Sequence, residues 1–310
     1  MIISASRRTD IPAFYSEWFL NRIKEGFVLV RNPMNPHQIR RISLRPSDVE
    51  CIVFWTKNPA PLLPHLDELK DYSFYFQYTL TPYGADIEPH TPPKAELLKT
   101  FSSLSKRIGP ERVIWRYDPI IFSDSMDSEW HTRRFEEMCE KLYGQSTKCV
   151  VSFVDFYRKC VKKLNILNAR LARYEEMVEL LQILNRIAKE HGIKIETCSE
   201  KISLQGVSPS KCIDDCLICK ITGRNLVFKK DKIQRLECGC VESLDIGAYN
   251  TCSHLCEYCY ANAENNLVSR NIKLHNPKSP LLIGELLPTD KITEVKTKQF
   301  DAGDTQTLLF

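Results

Sequence analysis

The stretch Ile2-Ile-Ser-Ala-Ser-Arg-Arg-Thr-Asp-Ile-Pro12 contains the unit that decides the fold: a short β-branched strand, a polar turn and the start of a helix. Asp10 is a favourable N-cap, and Pro12 suits the first turn of a helix. We therefore predict a strand over Ile2–Ala5 and a helix over Pro12–Glu25. A strand followed by a helix recurs along the first two-thirds of the chain, which predicts a parallel sheet with right-handed crossovers.

The repeated units predict further strands and helices, from β-branched or aromatic runs and from helical hydrophobic periodicity. Strands are predicted over Cys51–Trp55, Ser73–Leu80, Arg112–Arg116, Cys149–Phe153 and Ile193–Thr197. Helices are predicted over Ala60–Leu69, Pro93–Ser105, Glu129–Leu142 and Leu171–Glu190, and a β-hairpin over Phe27–Leu44. The fold class is therefore α/β. We expect a partial (β/α) barrel of about six parallel strands, with an open doubly wound sheet as the alternative.

Polar residues follow each predicted strand. In parallel β/α folds ligands bind at the carboxyl ends of the strands, so these residues are predicted to surround one mouth. A buried arginine at such a position is costly unless it is paired or used. The candidate ligand contacts are Arg7, Arg8, Asp10, Asn58, Gln77, Arg116 and Asp118. For Arg116 and Asp118, an ion pair that only stabilises the barrel is the alternative.

The cysteines are the unusual part of an otherwise ordinary composition. The chain has 310 residues, a net charge of +4 and 13 cysteines. No apolar run is long enough to span a membrane, and the first residues lack the order of a signal peptide, so we expect a cytoplasmic protein with no membrane partner. In a reducing compartment clustered cysteines indicate metal rather than disulfides. All but Cys51, Cys139, Cys149 and Cys160 fall between Cys198 and Cys259.

The last three cysteines, Cys252, Cys256 and Cys259, form a C-x3-C-x2-C triad. Three thiolates are one short of a structural zinc site, but they are enough to hold three irons of a [4Fe–4S] cluster and leave the fourth iron open for chemistry. A zinc site completed by His254 or by an upstream cysteine is the alternative, although zinc motifs favour paired C-x2-C units. His254 itself is predicted to face solvent in a loop.

The segment Cys252-Ser-His-Leu-Cys256-Glu-Tyr258-Cys259 resembles the C-x3-C-x-aromatic-C signature of radical S-adenosylmethionine (SAM) enzymes, and its flanks look most like the branch that includes spore photoproduct lyase. The resemblance implies that the free iron chelates SAM. It further implies that reduction cleaves SAM to a 5′-deoxyadenosyl radical, which abstracts hydrogen from a substrate. Tyr258 would then lie beside the adenine.

The chain departs from ordinary radical SAM enzymes in two ways. They carry the cysteine loop after their first strand, whereas here it comes after the sixth predicted strand. No clear Gly-Gly-Glu segment is present to bind the SAM amino group. Candidates to replace that segment are Asp10, Thr56, Asn58, Gln77 and Asp118. Arg7, Arg8 or Arg116 would then contact the SAM carboxylate or a substrate phosphate.

Three segments extend the resemblance nearly from end to end: the opening residues 2–12, the central Trp115-Arg-Tyr-Asp-Pro119 and the closing residues 238–252. Together they resemble an uncharacterised bacterial family noted for a radical-SAM-like cysteine cluster at its C-terminus. The resemblance implies that the cysteine loop returns, late in the sequence, to the barrel mouth. It implies no substrate.

Four more cysteines, Cys198, Cys212, Cys238 and Cys240, make a complete ligand set. They predict a second [4Fe–4S] cluster, with a zinc ion as the alternative. Cys212, Cys216 and Cys219 also have the C-x3-C-x2-C spacing, but Ile218 replaces the aromatic residue before the last cysteine. Cys216 and Cys219 are therefore predicted to be incidental thiols on a helix.

These patterns predict a radical SAM enzyme in which residues 1–198 form the partial barrel and residues 199–310 form an irregular Fe–S region on its mouth. The substrate is expected to be a small molecule, a peptide or a nucleobase. An external donor such as flavodoxin or ferredoxin is expected to supply electrons. Candidates for catalysis are Arg116, Asp118 and Cys198. The alternative is an Fe–S or zinc protein for electron transfer or nucleic-acid binding without radical chemistry.

Overall fold

The computed structural model describes residues 1–296. Eleven strands are distributed along this part of the chain. In chain order the strands are β1 (Ile2–Ala5), β2 (Phe27–Arg31), β3 (Gln38–Ser43), β4 (Cys51–Thr56), β5 (Phe74–Thr79), β6 (Val113–Ile120), β7 (Lys148–Phe153), β8 (Lys194–Thr197), β9 (Ser208–Pro209), β10 (Leu244–Asp245) and β11 (Lys291–Glu294).

Helices alternate with these strands and then continue into the cysteine-rich part of the chain. They are α1 (Ile11–Phe14), α2 (Ser16–Glu25), α3 (Lys94–Ile108), α4 (Ser128–Leu142), α5 (Val161–Ile166), α6 (Tyr174–Glu190), α7 (Asp215–Thr222) and α8 (Asn265–Lys273). None of the described helices is long and apolar enough to cross a membrane.

The main sheet has eight strands in the order β10-β1-β4-β5-β6-β7-β8-β9. Every neighbouring pair is parallel. This is the α/β class that the alternation of strands and helices predicts. Within the sheet, six strands lie side by side in chain order, as expected of right-handed crossovers: β1, β4, β5, β6, β7 and β8. The short strands β9 and β10 extend the sheet at opposite edges, and both follow residue 198. The sheet therefore crosses the predicted boundary at that residue, and residues 297–310 of the predicted Fe–S region lie outside the described residues.

A second, smaller sheet contains the hairpin predicted over Phe27–Leu44. Strands β2 and β3 pair antiparallel, from Phe27 opposite Ser43 to Arg31 opposite Ile39. The late strand β11 then pairs parallel with β3. The hairpin is confirmed, and its partner from the end of the described chain was not predicted.

Local sequence explains where the helices differ from expectation. The helix predicted over Pro12–Glu25 is two helices, because Tyr15 leaves the helical conformation between α1 and α2. The helix predicted over Ala60–Leu69 is a 3₁₀ helix over Leu63–Leu69. Pro61 and Pro64 lack the amide hydrogens that α-helical bonding would use, so this segment forms only the tighter turns.

The core between the sheet and its helices is rich in aromatic residues. Phe54 of β4 stacks on Phe76 of β5 with ring centroids 4.7 Å apart, and Trp115 of β6 stacks on Phe135 of α4 at 5.0 Å. All four are fully buried. These large apolar contacts make the sheet a rigid platform, so the groups at its strand ends have defined positions.

Candidate functional site

The cysteine loop begins at β10, which lies beside β1 at the edge of the sheet. Leu244 pairs with Ile3 and Asp245 pairs with Ser4. The Asp245 carboxylate accepts hydrogen bonds from the Ser4 hydroxyl, the Ser6 hydroxyl and the Arg7 amide, each at 2.8 Å. A Cβ atom at Gly247 would overlap the Ser6 side chain, so only glycine permits this close approach. The first and last parts of the chain are thus joined at one strand end.

The loop that follows is held in shape by hydrogen bonds on both sides of the triad. The Tyr15 hydroxyl donates to the Thr251 carbonyl at 2.6 Å, and the Asn262 amide donates to the Cys252 carbonyl at 2.8 Å. The Glu257 amide donates to the Ile87 carbonyl at 3.0 Å. The loop therefore presents its three cysteines from a fixed backbone, with Cys256 buried and the other two partly exposed.

His254 is buried, which corrects the prediction that it faces solvent. Its Nε2 atom lies 2.9 Å from Oδ2 of Asp10, and its Nδ1 atom lies 3.3 Å from the His90 carbonyl oxygen. Asp10 also caps α1 and accepts the Lys57 amide at 2.7 Å. The partner of His254 lies 244 positions away in the sequence, so no local pattern indicated that this side chain would be buried.

Replacing His254 with alanine should loosen the cysteine loop, because a buried carboxylate would lose one of its partners. We expect a loss of about 1–3 kcal/mol in the free energy of unfolding, measured by urea denaturation. The matched control is His65→Ala, which removes an exposed histidine–carboxylate contact with Glu68 and should cost about 0–1 kcal/mol. Equal effects of the two substitutions would contradict a structural role for the Asp10–His254 contact.

Tyr258 is fixed by a buried ionic network. Its hydroxyl donates to the Glu88 carboxylate at 2.6 Å, and that carboxylate also binds Lys57 and Lys94 at 2.7 Å each. Burial alone would raise the pKa of Glu88, but the two lysines outweigh it and lower this pKa to about 2. Glu88 lies in a loop and not at a strand end, which is why the sequence pattern did not identify it.

The four other cysteines also come together, as predicted, and we call them the quartet: Cys198, Cys212, Cys238 and Cys240. The Sγ atoms of Cys198 and Cys212 lie 3.5 Å apart. Cys212 and Cys240 lie close enough to shift each other's pKa, and so do Cys240 and Cys238. The Cys240 contact lowers the pKa of Cys238 to about 7, so this thiol is readily available as a thiolate ligand.

Two sulfur atoms of the quartet lie near nitrogen donors, one from strand β6 and one from the backbone after β9. The guanidinium of Arg116 lies 3.0 Å from Cys212 Sγ, and the Ile213 amide donates to Cys240 Sγ at 3.4 Å. Arg116 is held by an ion pair with Asp118, which also accepts the Ser152 hydroxyl. The ion pair that the sequence analysis gave as the alternative role of Arg116 and Asp118 is therefore present. It also holds the buried Arg116 guanidinium against the sulfur of Cys212.

Gln77 supports the same network rather than the triad. Its amide donates to the Cys212 carbonyl at 3.0 Å and its oxygen accepts from Arg116 at 3.3 Å. Asn58 makes only local contacts, receiving the Ala60 amide on its side-chain oxygen. Neither Gln77, Asn58 nor Asp10 lines the cavity described next.

A cavity of about 760 Å³ lies at the carboxyl ends of the strands. Each of the six predicted strand ends contributes to its wall, through Arg7, Lys57, Thr79, Asp118, Asp155 and Glu200, which confirms the common mouth. The quartet, Arg8, Arg116, Tyr258 and Cys259 line it as well. The volume is in the range of about 300–1,000 Å³ that is typical of ligand pockets.

Arg7 lines this cavity, near the quartet cysteines Cys240 and Cys212. Burial works to lower its pKa, but Cys240, Cys212 and Asp245 outweigh burial and raise the pKa. Its guanidinium packs 5.2 Å from the ring centre of Trp55, and its Nη2 atom is buried without a hydrogen-bond partner among the described residues. A buried cationic donor without a partner is costly, so it indicates that a ligand completes this site.

The spacing of the sulfurs bears on the choice between zinc and a larger cluster. Four sulfurs around one zinc ion lie about 3.8 Å apart, given a Zn–S distance of about 2.3 Å. Cys198 and Cys212 match that spacing. However, among residues 1–296 three ligand atoms within 4.8 Å of one another occur only in Asp214, Asp215 and Cys216. Neither the triad nor the quartet brings three ligand atoms that close together.

The competing C-x3-C-x2-C motif does not form a site of this kind. Cys216 and Cys219 lie on α7, as predicted. Cys216 is exposed, and Cys219 exchanges hydrogen bonds with the backbone of Leu226. Cys212 faces Cys198 instead.

Comparison with known proteins identifies one family along most of the chain. Residues 2–261 match the family model described as "Domain of unknown function (DUF1848)". A search of curated proteins found no match. The matched range includes both the triad and the quartet.

Proposed function

We propose that this chain, which belongs to the DUF1848 family, is a radical SAM enzyme. It would cleave SAM reductively at a [4Fe–4S] cluster held by Cys252, Cys256 and Cys259, and abstract hydrogen from a substrate bound in the same cavity. The family description names no activity, so the proposal depends on the site itself.

The order of strands in the sheet is the observation that carries the proposal. Strand β10, with the cysteine loop and α8 after it, lies directly beside β1, and the sheet then continues as β1, β4, β5, β6, β7 and β8. If β10 to α8 preceded β1 in the sequence, the strands would follow one another in chain order, with the cysteine loop after the first. That is the arrangement of ordinary radical SAM enzymes, on a sheet we propose to be a partial barrel. The late position of the triad is thus explained by a permuted chain.

The residues present fit a cluster with one open iron. The triad offers three thiols and its loop is rigid, while Cys259 and Tyr258 face the cavity. Burial raises the pKa of Cys256 to about 12, so a bound metal would have to displace the proton of this thiol. The bound cluster would supply the electron that breaks a carbon–sulfur bond of SAM.

The protein's own groups would bind and orient SAM. The buried Nη2 of Arg7 has no partner among the described residues, and it would donate to the SAM carboxylate. The Tyr260 hydroxyl donates to the Arg7 carbonyl at 2.9 Å and so fixes Arg7 relative to the cysteine loop. Tyr258, held by Glu88, would lie against the adenine. Arg8, Asp10, Asn58 and Gln77 remain candidates from the sequence, of which Arg8 also lines the cavity.

The quartet would hold a second [4Fe–4S] cluster. The Arg116 guanidinium and the Ile213 amide would donate to its sulfur atoms, as polar groups around metal centres commonly do. Electrons from an external donor such as flavodoxin or ferredoxin would pass through it. Asp118 and Cys198 remain the other candidates for contact with substrate, since both line the cavity.

A second function is favoured by one distance, the 3.5 Å between Cys198 and Cys212, which suits zinc. A protein with zinc or a closed Fe–S cluster could bind nucleic acid or transfer electrons without radical chemistry. Arg7 argues against a purely structural site, because it lines the cavity and its buried Nη2 atom has no hydrogen-bond partner among the described residues.

Anaerobic metal analysis followed by a SAM assay tests the proposal. The purified, reconstituted protein should contain about eight irons per chain and little zinc. With dithionite and SAM it should then form methionine and 5′-deoxyadenosine. Zinc without iron, or iron without SAM cleavage, would overturn the radical mechanism and leave a metal-stabilised binding protein.

A further inference from the structure

Exposed aliphatic side chains lie on the segment that leads into the quartet. We call residues 227–236 the basic loop. Ile233 is 95% exposed, Leu236 is 86% exposed and Val227 is 64% exposed. Large aliphatic groups this open to water are unusual on a protein surface unless they meet a partner.

Cations surround these aliphatic groups. Lys229, Lys230 and Lys232 are exposed, as is Arg235, which is ion-paired with Asp155. The one acidic residue of the loop, Asp231, is buried and accepts hydrogen bonds from Ile233 and Gln234. The Lys230 ammonium donates to the Leu236 carbonyl at 2.8 Å, which brings cation and aliphatic group side by side. The side chains of Lys229 and Lys232 have no ion-pair partner within the described chain. The loop therefore presents an apolar centre with a positive rim.

The basic loop is attached directly to two quartet cysteines. The Asp231 amide donates to the Cys240 carbonyl at 2.9 Å, and the Cys238 amide donates to the Arg235 carbonyl at 3.1 Å. Ile233 and Arg235 also border the cavity that the quartet lines. A partner bound to the basic loop would therefore contact residues that are hydrogen-bonded to the backbone of Cys238 and Cys240.

We propose that the basic loop is the docking surface for a small acidic one-electron carrier of the flavodoxin or ferredoxin type, which delivers electrons to the quartet. The inference rests on the proposed function, in which the cleavage of SAM consumes one electron. The carrier would give up one electron, which would pass through the cluster held by the quartet to the cluster held by the triad. That electron is consumed when the carbon–sulfur bond of SAM breaks, giving methionine and the 5′-deoxyadenosyl radical.

The chemistry of the loop favours a protein partner over nucleic acid. An apolar centre with a charged rim is the usual anatomy of a protein interface, and the charge complements an acidic surface. Single-stranded nucleic acid is bound mainly through cations and exposed aromatic rings. The exposed residues between 227 and 236 include no aromatic side chain. A small, weak and salt-sensitive interface is also typical of electron-transfer complexes.

Titration calorimetry with oxidised flavodoxin tests the docking surface without relying on enzyme activity. The holoprotein should bind flavodoxin at low ionic strength, and added salt should weaken binding. The variant Lys229→Glu/Lys230→Glu/Lys232→Glu should bind at least about tenfold more weakly. The control Lys99→Glu/Lys106→Glu/Lys141→Glu makes the same charge change on exposed positions of α3 and α4 and should bind like the wild type. Ile233→Ala/Leu236→Ala should weaken binding with no change in charge.

Two sources of electrons separate this inference from the proposed function. Dithionite should drive SAM cleavage equally in the wild type and in the charge-reversed loop variant, whereas reduced flavodoxin should drive it only in the wild type. Equal flavodoxin binding by the two charge-reversed variants would overturn the docking surface alone. The docking surface would also be overturned if the protein bound a single-stranded oligonucleotide through the basic loop but did not bind flavodoxin. If dithionite drove no cleavage of SAM in the wild type, the proposed function itself would be overturned.

Discussion

Replacing Cys252, Cys256 and Cys259 with alanine should remove about four of about eight irons per chain and abolish 5′-deoxyadenosine formation. The reason is that these three thiols are the only ligands we assign to the open cluster, and SAM would have no iron to bind. Iron and sulfide quantitation, together with chromatographic detection of 5′-deoxyadenosine after dithionite reduction, measures both effects. The quartet shares no cysteine with the triad, so the remaining irons should stay.

The matched control is Cys216→Ala/Cys219→Ala, which removes two thiols from the competing C-x3-C-x2-C motif. Cys216 is exposed and Cys219 contacts only its own neighbourhood, so the control should keep its iron and its SAM cleavage. If the control lost SAM cleavage and the triad variant kept it, the assignment of the catalytic cluster would be wrong.

Replacing Glu88 with glutamine should destabilise the protein by about 3–5 kcal/mol in the free energy of unfolding. Glu88 is 1% exposed and neutralises two ammonium groups, so its loss would leave the partly buried Lys57 and Lys94 near each other without a counter-charge. Tyr258 would also lose its charged acceptor. Urea denaturation of the metal-free and reconstituted forms would measure the loss.

The pH dependence of this difference has a defined sign. Burial and its two lysine partners leave Glu88 with a pKa of about 2 in the folded protein, below the ordinary glutamate value of 4.5. Its contribution to the free energy of unfolding is therefore fully present at pH values above that ordinary pKa. The advantage of the wild type over Glu88→Gln should therefore shrink as the pH falls from about 4.5 towards about 2. The control Glu68→Gln breaks the half-exposed pair with Lys24 and should cost about 0–1 kcal/mol. A similar loss in both variants would contradict the buried network.

The strands of the sheet could be predicted from sequence because each one carries its own signal. Runs of β-branched and aromatic residues that end in polar turns predicted β1 to its exact bounds, and β4 to within one residue. The position of α6 followed from its apolar stripe. Propensity alone could not distinguish α-helix from 3₁₀ helix over Leu63–Leu69, where two prolines decide.

The neighbours of the cysteine loop could not be predicted, because they depend on pairings between distant residues. Strand β10 has only two residues and no hydrophobic period to identify it. Its place beside β1 depends on Asp245 meeting three donors near Ser6 and on Gly247 fitting against that turn. The burial of His254 follows from the same placement.

Sequence reasoning selected the quartet because four of the clustered thiols remained once the triad, Cys216 and Cys219 were set aside, and the structure does bring them together. It could not show that Arg116 donates to one of their sulfurs, since a guanidinium in a strand has the same sequence signal whether it meets a carboxylate or a thiol. Glu88 was missed for a related reason. A carboxylate in a loop is usually solvated, and only the fold shows that two lysines enclose it.

The most direct test of the central claim is whether the triad's cluster has an open iron that binds SAM. The measurement is the electron paramagnetic resonance spectrum of the dithionite-reduced protein with and without SAM, repeated on Cys238→Ala/Cys240→Ala so that the signal comes from the triad alone. SAM should change the spectrum in both proteins, because its amino and carboxylate groups would become ligands of the fourth iron. A cluster signal that SAM leaves unchanged in both would contradict the account.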